Sequence, residues 1–184
     1  MELIQRKQNR LKNYNYSRPG AYFITLCTSG RKQIFWKSRN NTNDATVGER
    51  IALPSNVELS SYGEKVDEAI RNISRVYPLL SVDCYVIMPN HIHLLVRIHA
   101  EMSGSAMRSP TVEESLVGSI SIDKVMGQLK GYVTKQIGQS IWQRSYYDHI
   151  IRNRQDYEET VRYIYENPIR WREDELYLPA TDGD

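Results

Sequence analysis

Apolar and polar positions alternate in several short segments of this chain, and these segments are rich in β-branched and aromatic residues. Such patterns are typical of strands. The predicted strands lie at residues 21–28, 57–60, 80–88, 91–98 and 147–151, with the signal weakest at 57–60. Pro89 and Asn90 form a turn dipeptide between two of these segments, which predicts a strand–turn–strand hairpin.

Helical spacing of apolar residues appears in three other segments, 61–76, 121–138 and 155–167. Ser60 or Ser61 is a suitable cap for the first predicted helix, and Ser121 precedes the second. The third helix should end before Pro168, because the residue that precedes a proline disfavours helical geometry. Residues 99–118 show no period and are expected to form a connection.

The order of elements is strand, helix, hairpin, helix, strand and helix. Because the hairpin counts as two strands, the first six of these seven elements give the βαββαβ order of an α+β, ferredoxin-like antiparallel sheet, and the seventh is an extra C-terminal helix. A chain of 184 residues is expected to form one main domain. We place that domain at 18–175, after a basic arm at 1–17 and before an acidic tail at 176–184.

Charge is unevenly distributed, although the net charge is only +2. Residues 1–39 contain nine lysines and arginines against one acid, with tyrosines and a tryptophan between them. This mixture suits a phosphate backbone with unstacked bases, although a merely solubilising arm is the alternative. The acids near the end of the chain are expected to be a solvated tail without a chemical role: Glu173, Asp174, Glu175, Asp182 and Asp184.

No segment of the sequence resembles a signal peptide or a membrane span, so a cytoplasmic location without a membrane partner is expected. Cys27 and Cys84 fall inside predicted strands and are expected to be buried, reduced thiols.

His91 and His93 stand one residue apart at the start of a predicted strand, so both side chains should project from the same face. Two neutral imidazoles on one face can form half of a divalent-metal site, although they can also be surface or hydrogen-bonded core residues. Tyr163 and Asn167 are one helical turn apart. The amide oxygen of Asn167 would complete a site for Mg²⁺ or Mn²⁺, and the phenol of Tyr163 would attack phosphorus; a packing role is the alternative for Tyr163.

Four segments together resemble the REP-associated tyrosine transposases, which belong to the HUH single-tyrosine group. They are YFITLCT, CYVIMPNHIHLLV, WQRSYYDHIIRN and YIYENPIRW, within residues 18–175. The resemblance implies cleavage and rejoining of single-stranded DNA at hairpin-forming repeats, with a divalent metal and a 5′-phosphotyrosine intermediate. It assigns His91 and His93 to the metal and Tyr163 to the nucleophile. Asn167 lies where related transposases carry a glutamine.

The sequence allows two roles for His149. His149 is either an alternative ligand or base near the phosphate, or a structural histidine. The DNA-binding residues are predicted to be cations near the site and on the second helix: Arg18, Lys124, Lys130, Lys135, Arg144, Arg152 and Arg154. Two other functions compete with this one. One is a nuclease that uses water as its nucleophile, and the other is a hairpin-binding protein that no longer cuts DNA. The protein would act as a monomer or a homodimer.

Overall fold

The computed structural model describes residues 14–37, 57–100 and 120–177. Strands and helices follow one another as β1 (Gly20–Cys27), α1 (Ser61–Arg71), α2 (Ile73–Val76), β2 (Leu80–Ile87), β3 (His91–Ile98), α3 (Ile122–Ile137), β4 (Tyr147–Ile150) and α4 (Arg154–Glu166). Short 3₁₀ turns lie at Ser29–Arg31 and Trp171–Glu173. Most of the predicted arm, of the 99–118 connection and of the acidic tail lies outside the described residues.

The strands form one antiparallel sheet in the order β2-β3-β1-β4. The predicted hairpin supplies β2 and β3, and the turn is closed by a hydrogen bond from the Met88 amide to the His91 carbonyl. The predicted strand at 57–60 is reduced to a single bridge between Leu59 and Trp36. The mixed α/β architecture with an antiparallel sheet is thus confirmed.

Helices cover both faces of the sheet. On one face, α1 and α3 bury Ile70 and Leu129 against inward-facing strand residues such as Ile92 and Leu94. On the other face, α4 buries Ile164 against β2 and β3 residues, including Leu95. Burial of an aliphatic side chain stabilises the fold by about 1.5–3 kcal/mol. The α4 face is the face that carries the histidines.

The helices begin and end at residues that are suited to cap them. The Ser60 hydroxyl accepts a hydrogen bond from the Gly63 amide, and the Ser121 hydroxyl accepts one from Lys124. Gly138 ends α3 with a φ of 81°, which is a left-handed conformation that glycine adopts without strain. The single helix predicted over 61–76 is interrupted at Asn72, where α1 ends and the one-turn α2 begins.

Cys27 and Cys84 are buried free thiols, as predicted. Tyr132 lies at an apolar position of the α3 pattern, but the structure leaves it 40% exposed. Within the described ranges, every helix is too short or too polar to cross a lipid bilayer.

Candidate active site

The two histidines share one face of the sheet at the start of β3, as the alternation predicted. Their Nε2 atoms lie 3.0 Å apart, and both side chains are buried. Ile92, between them, packs in the core on the opposite face. The pair is therefore a fixed, water-excluded arrangement of two ring nitrogens.

Asn90 sets the tautomer of His91. The Asn90 amide nitrogen donates to the backbone carbonyls of Arg31 and Leu176, at 3.2 and 2.8 Å. Its oxygen must therefore face Nδ1 of His91, 2.8 Å away, and accept the proton carried there. The lone pair of His91 is consequently on Nε2, which is the nitrogen that faces His93.

The ring of His93 is held from two sides. Its Nδ1 lies 2.8 Å from the hydroxyl of Thr25, which occupies the paired position on β1. The Phe23 ring stacks on the imidazole with centroids 5.1 Å apart and an interplanar angle of 29°. These contacts fix the direction of Nε2, as partners around a metal-binding histidine commonly do.

Both imidazoles are neutral at physiological pH. Burial, with a smaller contribution from the Arg31 cation, lowers the pKa of His91 to about 3. Burial also holds the pKa of His93 well below its ordinary value, and the neighbouring His91 adds to this effect. Neutral imidazole is the form that binds a metal ion.

Tyr163 reaches the histidines from α4. Its hydroxyl lies 3.4 Å from Nε2 of His93, and its ring makes edge contacts with Phe23 and His93. The side chain is 45% exposed, so one side of the phenol remains open to a substrate. Burial of the other side and the carboxylates of Asp174 and Glu175 raise its pKa to about 12. The phenol is thus protonated and needs a cation or a base before it can act as a nucleophile.

Asn167 caps the C-terminus of α4, one turn beyond Tyr163. The side chain is only 5% exposed, and its amide nitrogen donates to Asp174 at 2.8 Å. Within the described part of the chain, no donor reaches its buried Oδ1 atom. A buried carbonyl oxygen without a partner is costly, and a cation at this position would satisfy it.

Asp174 is the third member of the site, which corrects the prediction of a solvated tail for this one acid; Asp182 and Asp184 lie outside the described residues. One ligand atom from each of His91, His93 and Asp174 lies within 4.8 Å of the others. The chain reverses after α4. As a result, Trp171 packs against His91, and Asp174 lies next to the two histidines. Nothing in the local sequence marks Asp174, since its position depends on this reversal.

This set of donors fits a divalent cation. It offers two neutral imidazole nitrogens, one carboxylate and one amide oxygen, which suit Mn²⁺ or Mg²⁺. Adjacent ligands of an octahedral ion with bonds of about 2.1 Å are about 3 Å apart. The Nε2 atoms of His91 and His93 already have this separation. The structure therefore brings together His91, His93 and Tyr163, and Asn167 joins them through Asp174.

His149 does not lie with these residues. Its Nε2 atom is 2.8 Å from the carboxylate of Asp156, in the first turn of α4, and the side chain is half exposed. The same carboxylate also accepts the Arg152 amide, so the histidine is held at the beginning of α4, away from the end that carries Asn167. Its role as a ligand or base stays a prediction.

The predicted DNA-binding cations lie on two sides of the sheet. Arg152 and Arg154 are exposed at the beginning of α4, while Lys124 and Lys135 are exposed on α3, which covers the opposite face. Lys130 donates to the backbone carbonyls of residues 143 and 144, and burial lowers its pKa. Arg18 and Arg144 are exposed near the two ends of the β1–β4 pair.

Known proteins with similar sequences are bacterial. An uncharacterised protein of Haemophilus influenzae is 31% identical over 183 residues, which cover 94% of this chain and 93% of that protein. Another protein of Haemophilus influenzae, named provisionally as a REP-associated tyrosine transposase, is 24% identical over 87% of this chain and 77% of its own length. A REP-associated tyrosine transposase of Escherichia coli is 26% identical over 61% of this chain and 58% of its own length.

The fold is also shared with a solved structure, that of a REP-associated tyrosine transposase bound to a REP hairpin. The TM-score is 0.57 at 20% sequence identity, with 95% of this chain and 92% of the other covered. No family model matches the sequence.

The fold and its relatives place this chain in the class of transposases. Within that class, its named relatives and the shared fold support a REP-associated tyrosine transposase, as the motifs of the sequence indicated.

Proposed function

We propose that this protein cleaves and rejoins single-stranded DNA at hairpin-forming repeats through a covalent 5′-phosphotyrosine formed by Tyr163. The observation that carries the proposal is the placement of the Tyr163 hydroxyl 3.4 Å from Nε2 of His93, at the edge of a fixed histidine pair. The half-exposed phenol leaves space for a phosphodiester to approach from solvent.

Cleavage and rejoining each replace one phosphoester bond with another, so the number of these bonds does not change. The phenolic oxygen of Tyr163 forms a bond to phosphorus as the bond from phosphorus to the 3′ oxygen breaks. The phenolic proton is exchanged through solvent, and the released strand takes up a proton as a 3′ hydroxyl. A 3′ hydroxyl that later attacks the phosphotyrosine restores a continuous strand and frees Tyr163, so no nucleotide cofactor is consumed.

We assign Mg²⁺ or Mn²⁺ as the cofactor, held by His91, His93, Asp174 and the Oδ1 atom of Asn167. A bound ion would supply positive charge to a non-bridging phosphate oxygen and favour the ionised phenol. The protein itself supplies the neutral imidazoles, their fixed direction and a partly desolvated nucleophile. The raised pKa of Tyr163 is consistent with a residue that is inactive until a cation is present.

The DNA partner would follow the exposed cations at the beginning of α4 and near the ends of the β1–β4 pair, since phosphate contacts provide most of the affinity in such complexes. These cations are Arg152, Arg154, Arg18 and Arg144. Lys124 and Lys135 would contact a hairpin that extends beyond the edge of the sheet. We also assign the βαββαβ elements to the ferredoxin-like topology, which the strand order β2-β3-β1-β4 supports.

The test is covalent capture. A labelled hairpin oligonucleotide from the repeats that flank the gene is incubated with the protein and Mn²⁺, and the products are separated on a denaturing gel. We expect a labelled protein adduct that disappears with Tyr163→Phe, with His91→Ala and with EDTA. Tyr165→Phe is the matched control, because Tyr165 lies on the same helix with a similar exposure of 48%.

Two outcomes would contradict the proposal. Strand cleavage that survives Tyr163→Phe would indicate a nuclease that uses water as its nucleophile. Tight binding of the hairpin by the wild-type protein, without any cleavage in Mn²⁺ or Mg²⁺, would indicate a hairpin-binding protein.

A further inference from the structure

The α4 helix leaves the β4 edge of the histidine-bearing face exposed: Tyr147 and His149 are exposed there, whereas Ala21 and Thr25 of β1 are buried. It packs mainly on β2 and β3, whereas β4 forms the free edge of the sheet beyond β1. A shelf therefore lies along β4, next to the β1 strand whose Phe23 ring contacts Tyr163. We call this surface the β1–β4 shelf.

Tyr147 is the outermost side chain of the shelf. It pairs with Thr25 in the register of β1 and β4, and Thr25 in turn pairs with His93. Cross-strand partners share one face of a sheet, so the ring of Tyr147 lies on the same face as the histidines. Two strand spacings, about 10 Å, separate it from His93.

The Tyr147 ring is exposed and has no structural partner in the described residues. It is 45% exposed, and no hydrogen bond or ring contact of its side chain is found there. The neighbouring side chains of the shelf, by contrast, are held in place by contacts. Phe23 is stacked on His93, and its register partner His149 is held by Asp156.

The charge around the shelf suits a nucleic acid. Arg144 and Arg152 lie just before and just after β4, and both are exposed. Among the described residues, neither guanidinium forms a salt bridge with an acid. An exposed aromatic ring on a sheet, between two cations, is a typical arrangement for stacking an unpaired base and holding its phosphates.

We infer that the β1–β4 shelf binds an unpaired base of the cleaved strand, stacked on Tyr147, one nucleotide from the phosphate presented to Tyr163. This assignment rests on the proposed function for the position of the scissile phosphate. It makes Tyr147 a positioning residue, which brings the phosphodiester into line without contacting the reacting atoms.

The experiment uses the flanking-repeat hairpin with unpaired extensions, in which 2-aminopurine replaces each unpaired base in turn. Binding is measured in EDTA with the Tyr163→Phe protein, so no chemistry occurs. We expect the fluorescence to be quenched at one position, and the quenching to be lost with Tyr147→Ala but kept with Tyr147→Phe. Affinity should fall about 5- to 100-fold with Tyr147→Ala. Tyr132→Ala, which changes an exposed tyrosine on the opposite face, is the control.

An abasic site at the quenched position offers a second test that leaves the protein unchanged. With the protein that keeps Tyr147, the abasic oligonucleotide should bind as weakly as the intact oligonucleotide binds to Tyr147→Ala. The two changes combined should lower the affinity little more than either change alone. Unchanged affinity and quenching with Tyr147→Ala would overturn the shelf assignment and leave the proposed chemistry standing. Quenching that depends on Tyr147, combined with a wild-type protein that forms no adduct in Mn²⁺, would support the shelf and overturn the proposed chemistry.

Discussion

Asn90 accepts a hydrogen bond from Nδ1 of its neighbour His91 at 2.8 Å, and this bond directs the Nε2 lone pair of His91 toward His93. The Asn90 amide is in turn fixed by two backbone carbonyls, those of Arg31 and Leu176. The tautomer of His91 is therefore determined by contacts from three separate parts of the chain.

Replacement of Asn90 by alanine should weaken metal binding. Without the amide, His91 can rotate and its proton can move to Nε2, the nitrogen that faces His93 and the proposed metal site. We expect an affinity for Mn²⁺ about 10- to 100-fold lower, as measured by calorimetry. Asn72→Ala, at the end of α1, is the control. An unchanged affinity in Asn90→Ala would show that the tautomer is set by other contacts.

Asp174 is predicted to be a ligand, so Asp174→Asn should weaken Mn²⁺ binding at least about tenfold, because even changes outside the ligand shell commonly cost about 10- to 100-fold. The same variant should lower the pKa of Tyr163, since the Asp174 carboxylate raises it. The pKa can be followed by NMR of labelled tyrosine in the metal-free protein. Glu173→Gln is the control for the loss of one negative charge, because Glu173 is an exposed acid next to Asp174 in the sequence. Equal metal affinities in Asp174→Asn and the wild-type protein would remove Asp174 from the ligand set.

The metal-free protein should lose stability in mild acid because of its buried neutral histidines. Below about pH 6.5 an unfolded chain protonates its histidines, whereas folded His91, with a pKa of about 3, stays neutral. The unfolded state then binds more protons, so the free energy of unfolding falls as the pH falls, by about 1.4 kcal/mol per pH unit for each such histidine. His93 contributes in the same direction.

Urea denaturation in EDTA between pH 6 and pH 4 measures this slope. His91→Gln removes one titrating group and should reduce the slope by about 1.4 kcal/mol per pH unit. His99→Gln, which changes an exposed histidine, should leave it nearly unchanged. Equal slopes in His91→Gln and the wild-type protein would mean that His91 is protonated in the folded state.

Two glycine-to-alanine substitutions should have opposite effects on stability. A Cβ atom on Gly63 would lie 2.4 Å from the backbone oxygen of Phe35, so Gly63→Ala must push α1 away from the chain beneath it. We expect a loss of about 1–3 kcal/mol. At Gly131, in the middle of α3, no described atom beyond the neighbouring residues and the helix backbone lies within 4 Å of the new Cβ, so Gly131→Ala should stabilise the protein by about 0.5–1 kcal/mol. Thermal melts compare the pair, and a stabilising Gly63→Ala would contradict the close packing of α1.

The sequence predicted the elements that depend on local periodicity. The strand at His91–Ile98 was predicted with its observed bounds, and α4 was predicted within a residue of its observed ends. The break at Asn72 was not predicted, because the apolar spacing continues through Ile73 and only the packing of the two helical segments differs.

The sequence alone determined that His91 and His93 share a face and that Tyr163 and Asn167 are one turn apart. Both relationships follow from the fixed geometry of a strand and of a helix, which extends over only a few residues. The tertiary structure decided that Asp174 joins the histidines, that Asn90 sets the tautomer of His91 and that the β1–β4 shelf is exposed at β4. These depend on how distant segments pack and where the chain reverses after α4, and no local period of the sequence encodes that packing.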